Sequence, residues 1–430
     1  MKILLCCEFY HPSVGGVQVV IRALAERLAA RGHQVTVATS RLTTRTFTTL
    51  EGVQIKEFTV SGNLVSGMHG EVGAYRDFVT SGDFDVIMIK AAQQWTFDAL
   101  WPVIDRIPSV KIFIPCGFSS LFEPGYADYF RKLPGILKAF DHLIFYAENY
   151  RDINFAREHG IKHFSIIPNG ASEVEFAAQA DPQFRTSLGI SADDFLFLTV
   201  GSFTGLKGHL EAAKAFSLAD FEDRPAALIL NGNKCGGGNL GLFSTLIRGI
   251  GIIKSHGLKY LLKHAIKTSL RSVGLKVGKD DELLLVLRSI NSQQGKKAFI
   301  TDLERQTLIQ AFINADLFVF ASNVEYSPLV LYESAAAGTP FLTVPVGNSE
   351  EIASWTQAGI VCPASRDSKG YTRVDPLELA RHMELLVQDP ATLQRLGEAG
   401  KRIWSERFTW AKITDAYEEL FLRLVAERMA

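Results

Sequence analysis

The hydrophobic pattern of the chain alternates short apolar runs with longer segments of helical periodicity. Strands that are buried on both faces of a parallel sheet have this apolar character, because helices cover both sides of the sheet. Between the first two runs, a helix is predicted from about Val17 to Arg31. The first half is therefore predicted to contain β-loop-α-β units with a parallel sheet. Six runs in this half are predicted to be strands: 2–10, 34–40, 84–90, 110–116, 142–147 and 164–170.

The second half repeats this pattern after a polar stretch at 179–192. Two similar α/β halves predict a cleft between them, which is the usual place for a ligand. We therefore divide the chain into a first domain at 1–178 and a second domain at 179–403, followed by a helical end. Four apolar runs in the second half are predicted to be strands: 194–201, 227–233, 297–300 and 315–322.

Composition narrows the class of protein. Hydrophobic residues make up 47% of the chain, charged residues 21%, and the formal net charge is −1, which does not favour nucleic acid as a partner. The five cysteines have neither the spacing of a zinc site nor that of a disulfide framework, which fits a reducing compartment. The amino terminus does not resemble a signal peptide, and no run approaches the roughly 18 apolar residues of a membrane span. We expect a cytoplasmic protein that is soluble or held at a membrane surface.

Gly15 and Gly16 follow the first predicted strand and precede the first predicted helix. Glycines at this place allow a backbone to approach a ligand closely, and the first turn of a helix favours anions. The pair does not belong to a GxGxxG fingerprint, and a plain tight turn explains it equally well. By itself, this motif leaves both interpretations open.

Lys207 lies in a glycine-containing loop between a predicted strand and a predicted helix. Gly205 and Gly208 flank it, and the strand ends at Gly201. An ammonium group near a helix amino terminus suits a phosphate, since both attract negative charge. The spacing is not that of a Walker loop, and an isolated lysine of this kind is often merely solvated.

Glu325 and Glu333 carry the most informative signal. The strand predicted at 315–322 is followed by a loop with Glu325, and a helix is predicted from Leu329 to Ala337, with Glu333 about one turn inside it. Pro328 suits the first turn, and Gly338 suits the stop. Carboxylates there could accept hydrogen bonds from sugar hydroxyls, while amides of the first turn receive a phosphate. The alternative is a capped surface helix with two solvated glutamates.

These two glutamates resemble the Glu-x7-Glu pattern of the retaining glycosyltransferases with the GT-B fold, glycosyltransferase family four. Similar stretches occur in the family's order along nearly the whole chain: 12–37, 166–170, 315–352 and 409–421. The resemblance implies two facing Rossmann-like domains with a cleft between them. It also implies that the helix at 404–430 packs back on the first domain. The first domain would bind the acceptor, and the second would bind the nucleotide sugar.

The resemblance also implies roles for individual residues. Lys207 would contact the donor diphosphate, Glu333 the ribose and Glu325 the transferred sugar, so Lys207 and Glu325 are the expected catalytic residues. Backbone near the donor would come from Gly15, Gly16, Leu329 and Val330. The family typically retains anomeric configuration and needs no metal or other cofactor, and the partners would be a nucleotide sugar and a glycan or lipid-linked acceptor.

The chain departs from the family pattern at several positions. Ser202, which is also expected to lie near the donor, occupies the place of a usual arginine, and Cys116 with Gly117 occupies that of a common histidine. Ser172 lies where an acid is usual, and Pro328 where a glycine is common. These changes keep two alternatives open, a sugar-nucleotide epimerase of the same fold and a non-catalytic sugar-nucleotide-binding descendant. The Asp83-Phe84-Asp85 triplet could suggest a metal, but a polar turn before a buried strand explains it better.

A basic insertion at about 236–296 has no counterpart in these motifs. Residues 241–280 contain eight lysine or arginine residues and one acid, a local charge of +7 that leaves −8 for the rest. Apolar residues lie between the charges at roughly helical spacing, as in helices that bind an anionic membrane surface. A helical subdomain with a solvated basic face is the equal alternative. A membrane-bound form would fit cell-surface polysaccharide or lipopolysaccharide biosynthesis.

Overall fold

A computed structural model describes residues 1–232 and 279–430 of the chain. Contacts divide the chain into two compact units. The first comprises 1–173, 326–332 and 403–430, and the second comprises 174–325 and 333–402. The chain therefore leaves the second unit between Glu325 and Tyr326 and re-enters it at Glu333. The domain limits predicted from the sequence, at 178 and 403, stay predictions.

Most of the basic insertion lies outside the described residues. Of the predicted segment 236–296, the structure describes 279–296, so the membrane-interface helix predicted within 241–280 has no structural description apart from its last two residues. Within the described ranges, no helix is both long enough and apolar enough to cross a membrane.

The first unit contains an eight-stranded sheet and a small hairpin. The sheet has the order β10-β9-β8-β7-β1-β2-β4-β3 and is parallel except for the pair β3 and β4. Strands β5 and β6 form the antiparallel hairpin. The strands are β1 (Lys2–Cys6), β2 (Gln34–Ser40), β3 (Thr49–Leu50), β4 (Val53–Phe58), β5 (Val60–Asn63), β6 (Gly67–Gly70), β7 (Val86–Lys90), β8 (Val110–Ile114), β9 (His142–Phe145) and β10 (Phe164–Ile166).

Helices cover both faces of this sheet, as its apolar strands require. All five residues of β7 and of β8 are buried. On one face, α1 and the last helix of the chain share a core with β1, to which Trp410, Tyr417 and Phe421 contribute. The helices up to the unit boundary are α1 (Gly16–Ala30), α2 (Val72–Ser81), α3 (Trp95–Asp98), α4 (Ala127–Lys138) and α5 (Arg151–Glu158), with 3₁₀ turns at Trp101–Arg106 and Pro124–Tyr126.

The second unit is built on a six-stranded parallel sheet with the order β13-β12-β11-β14-β15-β16. All six residues of β11 and of β12 are buried, which agrees with their apolar sequences. A small antiparallel pair, β17 with β18, lies outside this sheet. The strands are β11 (Phe195–Val200), β12 (Ala226–Asn231), β13 (Lys296–Thr301), β14 (Leu317–Phe320), β15 (Phe341–Thr343), β16 (Gly359–Val361), β17 (Ser365–Arg366) and β18 (Thr372–Arg373).

One helix of the second half ends where the sequence supplies a stop signal. The helix predicted at Leu329–Ala337 has these bounds in the structure, and Gly338 after it has a φ of +80°. The helices are α6 (Phe184–Ser187), α7 (His209–Leu218), α8 (Lys279–Asn291), α9 (Arg305–Asn314), α10 (Leu329–Ala337), α11 (Ser349–Thr356), α12 (Pro376–Gln388), α13 (Pro390–Arg407) and α14 (Trp410–Met429), and a 3₁₀ turn lies at Glu175–Ala177.

Each parallel sheet has a point at which the strand order reverses. In the first unit, this point lies between β1 and β7, and in the second it lies between β11 and β14. Loops that leave the carboxyl ends of two such strands diverge and open a crevice, which is where open α/β sheets bind ligands. The predicted residues Lys207 and Glu325 follow β11 and β14, so they lie at the reversal of the second sheet.

Candidate functional site

The loop after β11 packs closely against the chain that leaves β14. Gly208 precedes α7 with a φ of +80°, and a Cβ atom there would lie 2.3 Å from both the carbonyl carbon and the oxygen of Ala321. The amide of Asn323 donates to the carbonyl oxygen of Leu206 at 2.8 Å, and the Ser322 Oγ atom lies 3.1 Å from the same oxygen. Only a residue without a side chain fits at position 208, which fixes the course of the loop beside Lys207.

Lys207 and Glu325 are in direct contact. The Lys207 Nζ atom lies 2.6 Å from the Glu325 Oε1 atom, and the Ser322 hydroxyl donates to the same oxygen at 3.1 Å. The two side chains retain 27% and 16% of their exposure, so the pair can reach solvent or a ligand from the carboxyl edge of the sheet. The lysine is thus held by a partner and is not merely solvated.

Glu333 has a different partner, which lies within the same unit. Its Oε1 atom is 2.6 Å from a terminal nitrogen of Arg305, the first residue of α9. The side chain of Glu333 is only 10% exposed, whereas that of Arg305 is 41% exposed. Arg305 also contacts Glu175 at 2.7 Å. The alternative of two solvated glutamates therefore does not describe this structure, since each predicted carboxylate is paired with a cation.

The other residues that are predicted to lie near the donor belong to both units. Ser202 lies in the loop after β11, where its carbonyl oxygen accepts from the amide of Thr204 at 2.8 Å. Leu329 and Val330 form the first turn of α10 and belong to the first unit. Gly15 precedes α1 and Gly16 begins it, and a Cβ atom on Gly16 would meet no atom within 4 Å. The glycine pair thus lies at the amino terminus of α1, in the chain that follows β1. Its role at the donor stays a prediction.

Strained backbone marks two loops at the carboxyl edge of the first sheet. Ala91 and Gln93, after β7, have φ values of +75° and +63°, and Cys116 and Phe118, after β8, have φ values of +61° and +48°. Non-glycine residues seldom adopt such angles, and they concentrate at functional sites. Burial raises the pKa of the Cys116 thiol to about 11, so Cys116 is a neutral group where the family commonly has histidine.

Acidic pairs that could suggest a metal have other partners. The Asp85 carboxylate accepts from the backbone amide of Lys2 at 2.7 Å, and Asp83 pairs with the Lys2 ammonium group at 2.5 Å. These contacts agree with the polar-turn interpretation of the triplet. Among the residues that the structure describes, no group of three or more histidine, cysteine or acidic side chains could hold a metal ion.

Known protein families match both halves of the chain. The family model "Glycosyl transferases group 1" matches residues 181–403, and the model "Glycosyltransferase Family 4" matches residues 14–173. The chain belongs to the group 1 glycosyltransferases. The family resemblance inferred from Glu325 and Glu333 is thereby confirmed.

The fold of this group 1 glycosyltransferase is also confirmed as GT-B. Sucrose-phosphate synthase from Thermosynechococcus elongatus is similar to it with a TM-score of 0.70 and 18% identity, and 99% of each chain is covered. The Anabaena protein HepE, solved in complex with UDP and glucose, is similar with a TM-score of 0.65 and 16% identity, covering 98% of this chain and 100% of HepE. At these identities, the likeness concerns the fold.

Curated relatives match the glycosyltransferase over a shorter stretch. A glycogen synthase of Mycobacterium tuberculosis is 32% identical over 124 residues, which is 29% of this chain and 28% of that enzyme. The lipopolysaccharide core biosynthesis glycosyltransferase LpsD of Rhizobium meliloti is 34% identical over 124 residues, 29% of this chain and 34% of LpsD. The matched stretch therefore spans about a third or less of these relatives' length.

A buried group around Tyr326 in the first unit was not predicted from the sequence. The Tyr326 hydroxyl accepts a hydrogen bond from the amide of Tyr146 at 3.0 Å, and the Asp152 carboxyl group is a second hydrogen-bond partner of the same hydroxyl. Burial raises the pKa of Asp152 to about 6. The Asp152 carboxylate accepts from the Gly117 amide at 2.8 Å. The residue directly after Glu325 is thus anchored in the first unit. No local pattern signals this, since Asp152 and Tyr326 are far apart in sequence.

Proposed function

We propose that the protein transfers a sugar from a nucleotide-sugar donor to an acceptor hydroxyl, with retention of configuration and without a metal. The observation that carries this proposal is the Lys207–Glu325 contact of 2.6 Å, at the strand-order reversal of the second sheet. Its position matches the crevice in which such sheets bind nucleotides. Family membership and the UDP and glucose bound to the similar structure of HepE support it.

The proposed chemistry assigns a role to each charged group. In the transfer, the bond from the anomeric carbon to the diphosphate oxygen breaks, and the acceptor oxygen bonds to that carbon. The acceptor proton leaves with the nucleoside diphosphate. Negative charge grows on the departing diphosphate, and the Lys207 ammonium group would stabilise it. Glu325 would hold hydroxyls of the transferred sugar, and Glu333 would hold the ribose.

A screen of nucleotide sugars by thermal shift tests donor binding. A ligand that binds only the folded protein raises the melting temperature, and the increase grows with ligand concentration. We expect one donor class to raise it in the wild type and to have a smaller effect in Lys207→Ala. The release of nucleoside diphosphate should then require an added acceptor. Conversion of the donor to an epimer without an acceptor would favour the epimerase, and binding without turnover on any acceptor would favour the non-catalytic alternative.

Retention of configuration and metal independence form a separate prediction. The family resemblance motivates it, and so do the charge-paired residues that would take the place of a metal at the diphosphate. With an α-linked donor, the product should show an α linkage by NMR, and turnover should survive incubation with EDTA. A β-linked product, or turnover that returns only when Mn²⁺ or Mg²⁺ is added, would contradict this part of the proposal.

We further propose a lipid-linked acceptor in cell-surface polysaccharide or lipopolysaccharide biosynthesis, with the protein at the cytoplasmic membrane face. The +7 charge of residues 241–280 and the similarity to LpsD support this. Each basic residue near an anionic membrane surface contributes about 1 kcal/mol to the free energy of binding. The protein should co-sediment with phosphatidylglycerol vesicles, less so at high salt, and less so when Lys259, Lys263 and Lys267 are all changed to glutamate. A protein that remains in the supernatant at low salt would exclude this anchor.

A further inference from the structure

Arg305 is held from several sides in the second unit. Its Nε atom donates to Glu175 Oε1 at 2.9 Å and a terminal nitrogen donates to Glu175 Oε2 at 2.7 Å, a fork that uses both carboxylate oxygens. The guanidinium carbon also lies 6.0 Å from the centre of the buried Phe176 ring. Arg305 then reaches Glu333 at 2.6 Å. A guanidinium fixed in this way has little freedom to turn.

The positive charge of Arg305 is permanent. Burial acts to lower the pKa of Arg305, but Glu333 and Glu175 outweigh it and raise the pKa above its ordinary value. Arg305 therefore remains a cation throughout the working pH range. Glu333 is 10% exposed, and a buried carboxylate without a charged partner would be costly. The contact with Arg305 supplies this charged partner and fixes one of the two Glu333 oxygens.

We infer that Arg305 is a positioning residue, which orients the Glu333 carboxylate so that its second oxygen accepts a ribose hydroxyl of the donor. This inference rests on the proposed function, in which Glu333 binds the ribose. Without the arginine, the glutamate side chain would be free to change rotamer, and its preference for a hydroxylated sugar would fall. A lysine cannot replace it, because an ammonium group lacks the planar fork that Glu175 holds.

Paired nucleotides test the inference directly. The probes are ADP, GDP, UDP and CDP, each beside its 2′-deoxy counterpart, with dissociation constants from isothermal titration calorimetry. For the base that binds, we expect the wild type to bind the ribonucleotide about 10-fold or more tightly than the 2′-deoxy form. The loss of one hydrogen bond to a charged acceptor weakens binding by about this factor. Arg305→Gln and Arg305→Lys should reduce this preference below about 3-fold, with little change in affinity for the 2′-deoxy form.

Two further variants serve as references. Glu333→Ala should lose the preference, as the ribose role requires. Arg381→Gln removes an exposed arginine of the same unit, which pairs with Glu378 at 3.4 Å, and should leave both affinities unchanged. Melting temperatures show whether each variant is folded. Arg305→Lys, which keeps the charge between the two glutamates, provides the test if Arg305→Gln does not fold.

The outcomes separate the inference from the function on which it rests. If Glu333→Ala loses the preference and both Arg305 variants keep it, the inference is wrong and the ribose role stands. If the Arg305 variants weaken both nucleotides equally, Arg305 contacts a shared part of the ligand or supports the fold, and the inference is again wrong. If the wild type binds no nucleoside diphosphate or shows no preference, the ribose role fails and the inference fails with it.

Discussion

Lys207→Ala is expected to lower turnover by about 10²–10³, a loss of roughly 2–4 kcal/mol of transition-state stabilisation. The reason is the position of Lys207, whose ammonium group is held 2.6 Å from Glu325 at the strand-order reversal. A preorganised charge of this kind acts where negative charge develops on the leaving diphosphate. Glu325→Ala and Glu333→Ala should also reduce turnover, because each removes a proposed contact to the donor.

Initial rates with saturating donor and acceptor measure this effect, and melting temperatures show that the variants are folded. Lys214→Ala is the matched control. Lys214 lies on α7, outside the loop that holds Lys207, and its ammonium group is 2.6 Å from the Glu282 carboxylate. This variant should retain wild-type turnover. Wild-type rates in all three site variants, with the true acceptor present, would refute the assignment of the site.

Gly208→Ala is expected to destabilise the second unit by about 2–5 kcal/mol. A left-handed backbone costs a non-glycine residue roughly 1–2 kcal/mol, and forcing atoms into a packed site adds about 1–3 kcal/mol. Here the added Cβ atom would lie 2.3 Å from the backbone of Ala321, which cannot rotate away as a side chain could. The loop and the chain after β14 would have to separate, so Lys207 would also lose its alignment with Glu325.

Gly189→Ala isolates the steric part of this effect. Gly189 lies in the same unit with a φ of +72°, but a Cβ atom there would meet no atom within 4 Å. Denaturant unfolding, followed by a probe in the second unit, should therefore show a clearly smaller loss for Gly189→Ala than for Gly208→Ala. Equal losses would mean that the close approach to Ala321 does not constrain the loop.

The sequence predicted the central strands of the first sheet, the strands β11 to β14 and the helix α1 well, for a physical reason. Strands such as β8 and β11 are buried on both faces, so that every position is apolar and the run stands out. The strands β3 and β4, the hairpin of β5 and β6, and the strands β15 to β18 were not predicted. These segments are short or polar, and their pairing depends on neighbours that a local pattern does not reveal. The helix α10 was predicted with its correct bounds, because Pro328 and Gly338 mark both ends.

The site was predictable where a local motif marks it. Lys207 and Glu325 stood out because each follows a buried strand, and the reversal of the strand order brings the ends of β11 and β14 together. Arg305 did not stand out, because its contact with Glu333 joins two residues that are distant in sequence. For a similar reason, the pairing of Tyr326 with Asp152 was not predicted. Charge partners that are distant in sequence require the tertiary structure.

The packing around Gly117 also constrains the order in which substitutions can be accepted. A Cβ atom on Gly117 would lie 3.0 Å from the Tyr326 ring and 3.0 Å from that of Tyr150, and the φ of Gly117 is +89°. A side chain introduced first at 117 therefore collides with an occupied space. Smaller residues introduced first at both 150 and 326 leave a gap for a later side chain at 117, although the positive φ continues to favour glycine there. A mutational path that places a side chain at 117 would thus begin at Tyr150 and Tyr326, and Tyr326 is the residue directly after Glu325.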